Sequence, residues 1–188
     1  GTFKQWLAGR ITGPYNSWGN GSAMRVSPIA WTYNSEKEVL EEAEKSAAIT
    51  HNHAEGIKGA QAIAMATFLA RTGHAKNEIK EYVSQQFSYN LERRIDQIRP
   101  NYAFDVSCQG SVPESIIAFL ESENFVDAIR LAISIGGDSD TIACMAGAIA
   151  HAYYQEIPHA IIKATKERLP KSFNDLLATF EQRFLTIK

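Results

Sequence analysis

The segment from Leu131 to Tyr154, LAISIGGDSDTIACMAGAIAHAYY, sets the tightest limits on what this chain can fold into. Two apolar stretches flank the run Gly136, Gly137, Asp138, Ser139, Asp140 and Thr141. The second stretch carries Ala143, Ala146, Gly147 and Ala150 at helical spacing, and small residues on one helical stripe let neighbouring helices approach closely. The segment therefore predicts helix packed on helix, with a polar turn set between interior surfaces. Carboxylates buried without partners cost several kcal/mol or shift their pKa, so Asp138 and Asp140 need compensation. A hard metal ion would supply it. So would the unpaired N–H groups at the start of the following helix, though these account for one carboxylate more readily than for two.

The rest of the chain reads as helix after helix. Ser35 with Glu38 fits a capping box, and Val39, Leu40, Ala43, Ala47 and Ala48 then share a face. Ala54 to Arg71 forms a second long helix, with Gly73 as its left-handed stop. Asn77 is positioned to cap a third through Phe87, and Leu91 to Ile98 is expected to continue helical until Pro100. Ser111-Val-Pro-Glu114 reads as a second capping box, opening a helix over Ser115 to Glu121. Further helices are expected from Asn124 to about Ser134 and from Pro158 to Pro170. Phe173, Leu176, Leu177, Phe180 and Phe184 fall on one face of a C-terminal amphipathic helix. Near the start, Asn20-Gly21 favours a turn with positive φ, and Ala23 to Ala30 a short helix interrupted near Pro28. No alternating strand and no fixed-period repeat is present. The fold class is all-α: a single compact multi-helix domain over residues 1–188.

Composition narrows the function classes. The 188 residues suffice for one domain with a real core. A formal net charge of −2 gives no basic stripe for nucleic acid. No apolar run has the roughly 18 uncharged residues of a membrane span. Two cysteines, Cys108 and Cys144, form no disulfide framework, and a reducing cytoplasm fits best.

Three segments could carry chemistry. Asp138, Asp140 and Thr141 offer only oxygen donors, which suit Mg²⁺, Mn²⁺ or Ca²⁺ rather than Zn²⁺. An EF-hand is excluded because Thr141-Ile142-Ala143 breaks its pattern, and a DxDxT phosphatase motif because residue 142 is Ile. The second segment is Trp18 to Arg25, WGNGSAMR. Gly19 and Gly21 could expose N–H groups to a phosphate or sugar, with Asn20 and Ser22 adding side-chain bonds; an ordinary turn is the plainer reading. Arg25 could pair a pyrophosphate or hold a carboxylate. The third is Thr50-His51-Asn52-His53. Histidines at i and i+2 do not share a helix face, and zinc is not expected. His51 could bond a ligand, or as a cation compensate the C-terminus of the preceding helix. Asp105, Ser107 and Gln109 form a polar loop around Cys108, which reads as a buried thiol.

Taken in order, PYNSWGNGSAMRVSP (14–28), THNH (50–53), SCQGSVPE (107–114) and SIGGDSDTIA (134–143) closely resemble the ADP-ribosylglycohydrolase family, which includes the dinitrogenase-reductase-activating glycohydrolase. The resemblance runs over nearly the whole chain. It implies an all-α fold, two divalent cations (Mg²⁺ or Mn²⁺), and hydrolysis of the bond between ADP-ribose and a modified side chain or small molecule. By position, Asp138, Asp140 and Thr141 match metal ligands, Gly19, Asn20, Gly21 and Ser22 match the loop that holds ADP-ribose, and His51 matches a histidine of the substrate cleft. The metals would bind ribose hydroxyls and position a water, with a carboxylate as general base.

The family's other metal ligands, a Thr-Asp-Asp cluster, and an acidic residue implicated in catalysis lie ahead of the segment matching Gly1. This sequence contains no Thr-Asp-Asp. The chain is therefore expected to be N-terminally incomplete, and its catalytic residue is not identified. One reading is a metal-dependent hydrolase that removes ADP-ribose. The other is a truncated, catalytically impaired homologue that binds ADP-ribose or nucleotide, or is purely structural. Neither calls for nucleic acid or membrane as partner. Apolar faces left by missing helices are expected to favour a homodimer.

Overall fold

Residues 2–185 are described by a computed structural model of the chain. Twelve α-helices follow in order: α1 (Thr2–Leu7), α2 (Gly21–Met24), α3 (Ser27–Thr32), α4 (Glu36–Ala48), α5 (Ala54–Arg71), α6 (Lys76–Phe87), α7 (Ile95–Ile98), α8 (Cys108–Glu121), α9 (Phe125–Ile135), α10 (Ser139–Tyr154), α11 (His159–Arg168) and α12 (Lys171–Phe180). The last turn widens into a π-helix over Glu181–Leu185. Among the described residues the extended pairing is an isolated bridge between Gly19 and Ser107. No described helix is long and apolar enough to cross a membrane.

The helix α5 is apolar nearly all round, burying Ala60, Ile63, Met65, Phe68 and Leu69, and such a helix belongs in the centre. It packs against α2, α3, α4, α6, α8 and α10. The small residues of α10 do what their spacing requires: a Cβ added at Gly147 would lie 2.8 Å from Ile129 Cδ1 of α9. Ile142, Met145 and Ile149 of α10 meet Ile116, Ile117 and Phe119 of α8 in the shared core. Lys76 ties α6 to this pair of helices. Its ammonium donates to the carbonyls of Leu120 and Ser122 and stands over the rings of Phe119, Tyr153 and Tyr154.

Several local expectations are corrected. The helix α8 begins at Cys108, because Ser107 Oγ accepts from Gly110 N at 3.0 Å and caps it there. Pro113 is then inside the helix and removes one ladder bond, to the carbonyl of exposed Gln109. Glu114 turns away from the capping role and pairs with Arg93 at 2.7 Å. Burial raises the Glu114 pKa, and Arg93 opposes that shift. The helix α6 starts one residue before Asn77, with Glu78 Oε2 accepting from Ala75 N. Residues 88–94 are not helical: Ser88 is left-handed at φ 55°, and the chain then buries Tyr89 and Leu91. Asn20 is right-handed helical (φ −74°, ψ −5°) and leads directly into α2, so there is no positive-φ turn. The helix α12 has the expected apolar face but buries none of its residues; Phe173 and Leu176 are exposed.

Candidate functional site

Two loops far apart in sequence are zipped together to make the floor of the site. Asn20 N donates to Val106 O at 2.8 Å, and Cys108 N donates to Trp18 O at 3.0 Å. Below them the buried Cys108 thiol donates to Gly19 O at 3.2 Å. It sits so close to α5 that a Cβ at Gly59 would lie 2.4 Å from its sulfur. Burial pushes this thiol up to about 11, so it packs as a small apolar group.

Above this floor lies a cleft of about 800 Å³, within the usual range for small-molecule sites. Gly19, Asn20, Gly21, Arg25 and His51 line it, together with Tyr15, Trp18 and Val106, and Phe3 from α1. Four of the five residues expected to bind substrate thus share one wall. The fifth, Ser22, is fully buried beneath it, where its hydroxyl donates to Gly56 O at 2.8 Å and fastens α2 to α5. The rings of Tyr15 and His51 are 6.2 Å apart at 54°, leaving a half-open aromatic corner. Gly21 is needed for contact rather than for backbone freedom, since a Cβ there would lie 3.3 Å from His51 Nε2.

Among the described residues Arg25 pairs with no carboxylate. Its Nη2 donates to the carbonyl of Ser46 (2.8 Å) and to Thr50 Oγ1 (3.1 Å), closing the C-terminal end of α4. The cation at that helix end is Arg25, and His51 is neutral. Burial first, and the Arg25 charge second, push the His51 pKa down to about 4. His53 instead caps α5, with Nδ1 accepting from Glu55 N at 3.1 Å.

The acidic turn meets the cleft through Asn20. Its side-chain amide donates to Asp138 Oδ2 at 2.7 Å and to Ser111 Oγ at 3.2 Å. Asp138 stands at the N-cap position of α10 but makes no side-chain cap bond. Gly136 and Gly137 are both left-handed (φ 83° and 59°), and a Cβ at Gly137 would lie 2.6 Å from Tyr102 Cε1. The turn is therefore seated on the loop that leads to Asp105. Asp140 is exposed, whereas Thr141 is buried with its hydroxyl toward Met24 Sδ at 3.5 Å. Two carboxylates and a hydroxyl at one helix start suit a single hard cation with waters completing its shell. They do not suit two cations, and no group of three or more His, Cys, Asp or Glu among the described residues is placed to hold a metal.

A second groove of about 590 Å³ lies on the other side of Trp18, lined by His53, Asp105, Ser107, Gln109 and Gly110. Asp105 is fixed by accepting from Ser107 N at 2.7 Å. Tyr15 and Thr50 fall within the 14–28 and 50–53 segments without an expected role of their own, and reach the site where those segments meet, Ser17 N donating to Thr50 O at 3.4 Å.

Comparison with known proteins adds the following. The family model described as ADP-ribosylglycohydrolase matches residues 1–186. ADP-ribosylhydrolase ARH3 of Gallus gallus is 29% identical over 211 residues, covering 88% of this chain and 55% of that protein. The Homo sapiens protein of the same name is 32% identical over 183 residues, covering 73% and 50%. A solved structure, an ADP-ribosylglycohydrolase-related protein complex, superposes with a TM-score of 0.70 at 22% identity, covering 86% of this chain and 60% of that one. The chain thus spans about half the length of the curated relatives it matches.

Proposed function

The chain belongs to the ADP-ribosylglycohydrolase family, and from that premise we propose that its cleft binds ADP-ribose, as part of a hydrolase that releases it from a modified side chain or small molecule. The observation that carries this reading is the Asn20–Asp138 bond. It ties the acidic turn to a residue of the cleft lining, a link that neither a lone turn nor a lone helix cap requires.

In this reading the Arg25 charge beside the Gly19–Gly21 segment favours the diphosphate, while the Gly19 and Asn20 N–H groups hold the loop itself by donating to Ser17 Oγ and Val106 O. Tyr15 and His51 offer ring faces to the nucleoside. Asp138, Asp140 and Thr141 would hold one Mg²⁺ or Mn²⁺, with the bond from Asn20 orienting the Asp138 carboxylate. A bound cation supplies Lewis-acid polarisation at the reacting sugar. Water adds to the anomeric carbon, the bond from that carbon to the acceptor atom breaks, and the one proton the water loses passes by way of a base to the leaving acceptor.

The second reading is a chain that binds ADP-ribose without turning it over. It is supported by the donor count at the acidic turn, which is short of a two-cation site. Calorimetric titration with ADP-ribose, with and without Mn²⁺, tests binding. Release of ADP-ribose from an ADP-ribosylated peptide separates the two readings. Binding with release supports the hydrolase, binding without release supports the second reading, and no binding removes both.

A further inference from the structure

We infer that His51 is held as a neutral imidazole with its proton on Nε2, presented to the cleft as a hydrogen-bond donor, and that Thr50 and Arg25 are the positioning residues that hold it so.

A guanidinium can only donate, so the bond of Arg25 Nη2 to Thr50 Oγ1 at 3.1 Å makes the threonine oxygen an acceptor. Thr50 is itself buried, and its hydroxyl proton must find an acceptor. Among the described residues the acceptor in reach is His51 Nδ1, at 2.7 Å. Thr50 therefore accepts from Arg25 and donates to His51. An Nδ1 that accepts carries no proton, and in a neutral ring the proton is then on Nε2. The opposite assignment would aim two donors, Arg25 and His51, at one hydroxyl whose own proton had nowhere to go. Burial and the Arg25 charge disfavour the imidazolium as well.

The other ring nitrogen faces the glycine loop. A Cβ would lie 3.3 Å from Nε2 at Gly21 and 3.6 Å at Gly19. No hydrogen bond joins Nε2 to a described residue, and His51, at 7% exposure, opens only on the cleft it lines. The geometry thus offers one fixed N–H to an oxygen acceptor on the ligand, a phosphoryl or ribose oxygen. That assignment of the ligand rests on the ADP-ribose reading; the tautomer does not.

The test is a long-range proton–nitrogen correlation spectrum of the full chain labelled with ¹⁵N-histidine at pH 7, with His51→Gln to assign the signals. The expected pattern is an unprotonated-type Nδ1 and a protonated-type Nε2. Thr50→Val is expected to average the two nitrogens and to weaken ADP-ribose binding about three- to tenfold, the loss of one hydrogen bond. Thr50→Ser is expected to restore both. A wild-type spectrum with the proton on Nδ1, or a Thr50→Val spectrum unchanged from wild type, overturns the proposal. Because the wild-type spectrum is decisive alone, a Thr50→Val chain that fails to fold does not rescue it. A locked tautomer in a chain that binds no ADP-ribose supports the lock and overturns only the ligand assignment.

Discussion

Asn20 Nδ2 stands 2.7 Å from Asp138 Oδ2, a contact that joins residues 118 positions apart. Asn20 is 7% exposed, and its amide also reaches Ser111. This side chain belongs to the cleft wall and also touches the acidic turn.

Replacing it is expected to cost stability first. Asn20→Ala removes two buried bonds and leaves their partners unsatisfied, a loss of about 1–3 kcal/mol. Asn20→Asp sets a second carboxylate against Asp138 and is expected to cost more at pH 7 than Asn20→Ala. Urea unfolding followed by circular dichroism gives the order of the two variants.

Metal binding should separate from stability at Asp140. That side chain is exposed, so Asp140→Ala is expected to change stability by no more than about 0.5 kcal/mol, while Mn²⁺ affinity falls at least about tenfold. Asp138→Ala should lose both. Calorimetric titration with Mn²⁺ measures this, and unchanged affinity in both variants would refute the assignment of the acidic turn.

How far the sequence anticipates this site can be seen residue by residue. The helix periods, the Ser35 cap and the order of the glycine loop, histidine segment and acidic turn are local patterns, and local patterns survive folding. What fails is every expectation in which a side chain is claimed by a distant partner. Glu114 leaves its capping role for Arg93, 21 residues away, and Arg25 bonds the end of α4 rather than a carboxylate of the described residues. Asn20 spends its side chain on Asp138 and its carbonyl on Met24 N, so the turn that Asn-Gly favours does not form. Ser22 looks like part of a ligand loop because nothing local says that α5 lies directly beneath it.

Acid should unfold the protein partly through His51. Its pKa falls from 6.5 to about 4 on folding. The unfolded chain therefore takes up a proton between those values that the folded chain refuses. Stability is full above pH 6.5 and is lost as pH falls through the window, by roughly 3 kcal/mol in all. His51→Gln should flatten that part of the curve when unfolding free energy is measured from pH 7 to 4.

The two thiols should behave oppositely. Cys144 is exposed and Cys108 is buried beneath Gly19. A disulfide reagent at pH 8 is expected to modify one thiol per native chain quickly and the second only after unfolding. Gly59→Ala should cost about 1–3 kcal/mol by overpacking against the Cys108 sulfur, and Cys108→Ala should recover only part of that in the double variant, because the Cys108 Cβ, 2.7 Å from the added carbon, remains. An additive double-variant cycle would show that the two residues do not press on each other.

The bond between Asn20 and Asp138 also has a schedule. On the ribosome Asn20 emerges 118 residues ahead of its partner, an interval of roughly 6–24 s at ordinary synthesis rates. Until α8 brings Ser111 its amide has neither of its two partners, and until α10 arrives it lacks the shorter of the two bonds. A nascent chain carrying the glycine loop, the histidine corner and α8 has the lining residues of the cleft but not the acidic turn. The acidic turn joins the cleft only with the arrival of α10, so a ligand that needs both is held only after that turn has cleared the exit tunnel.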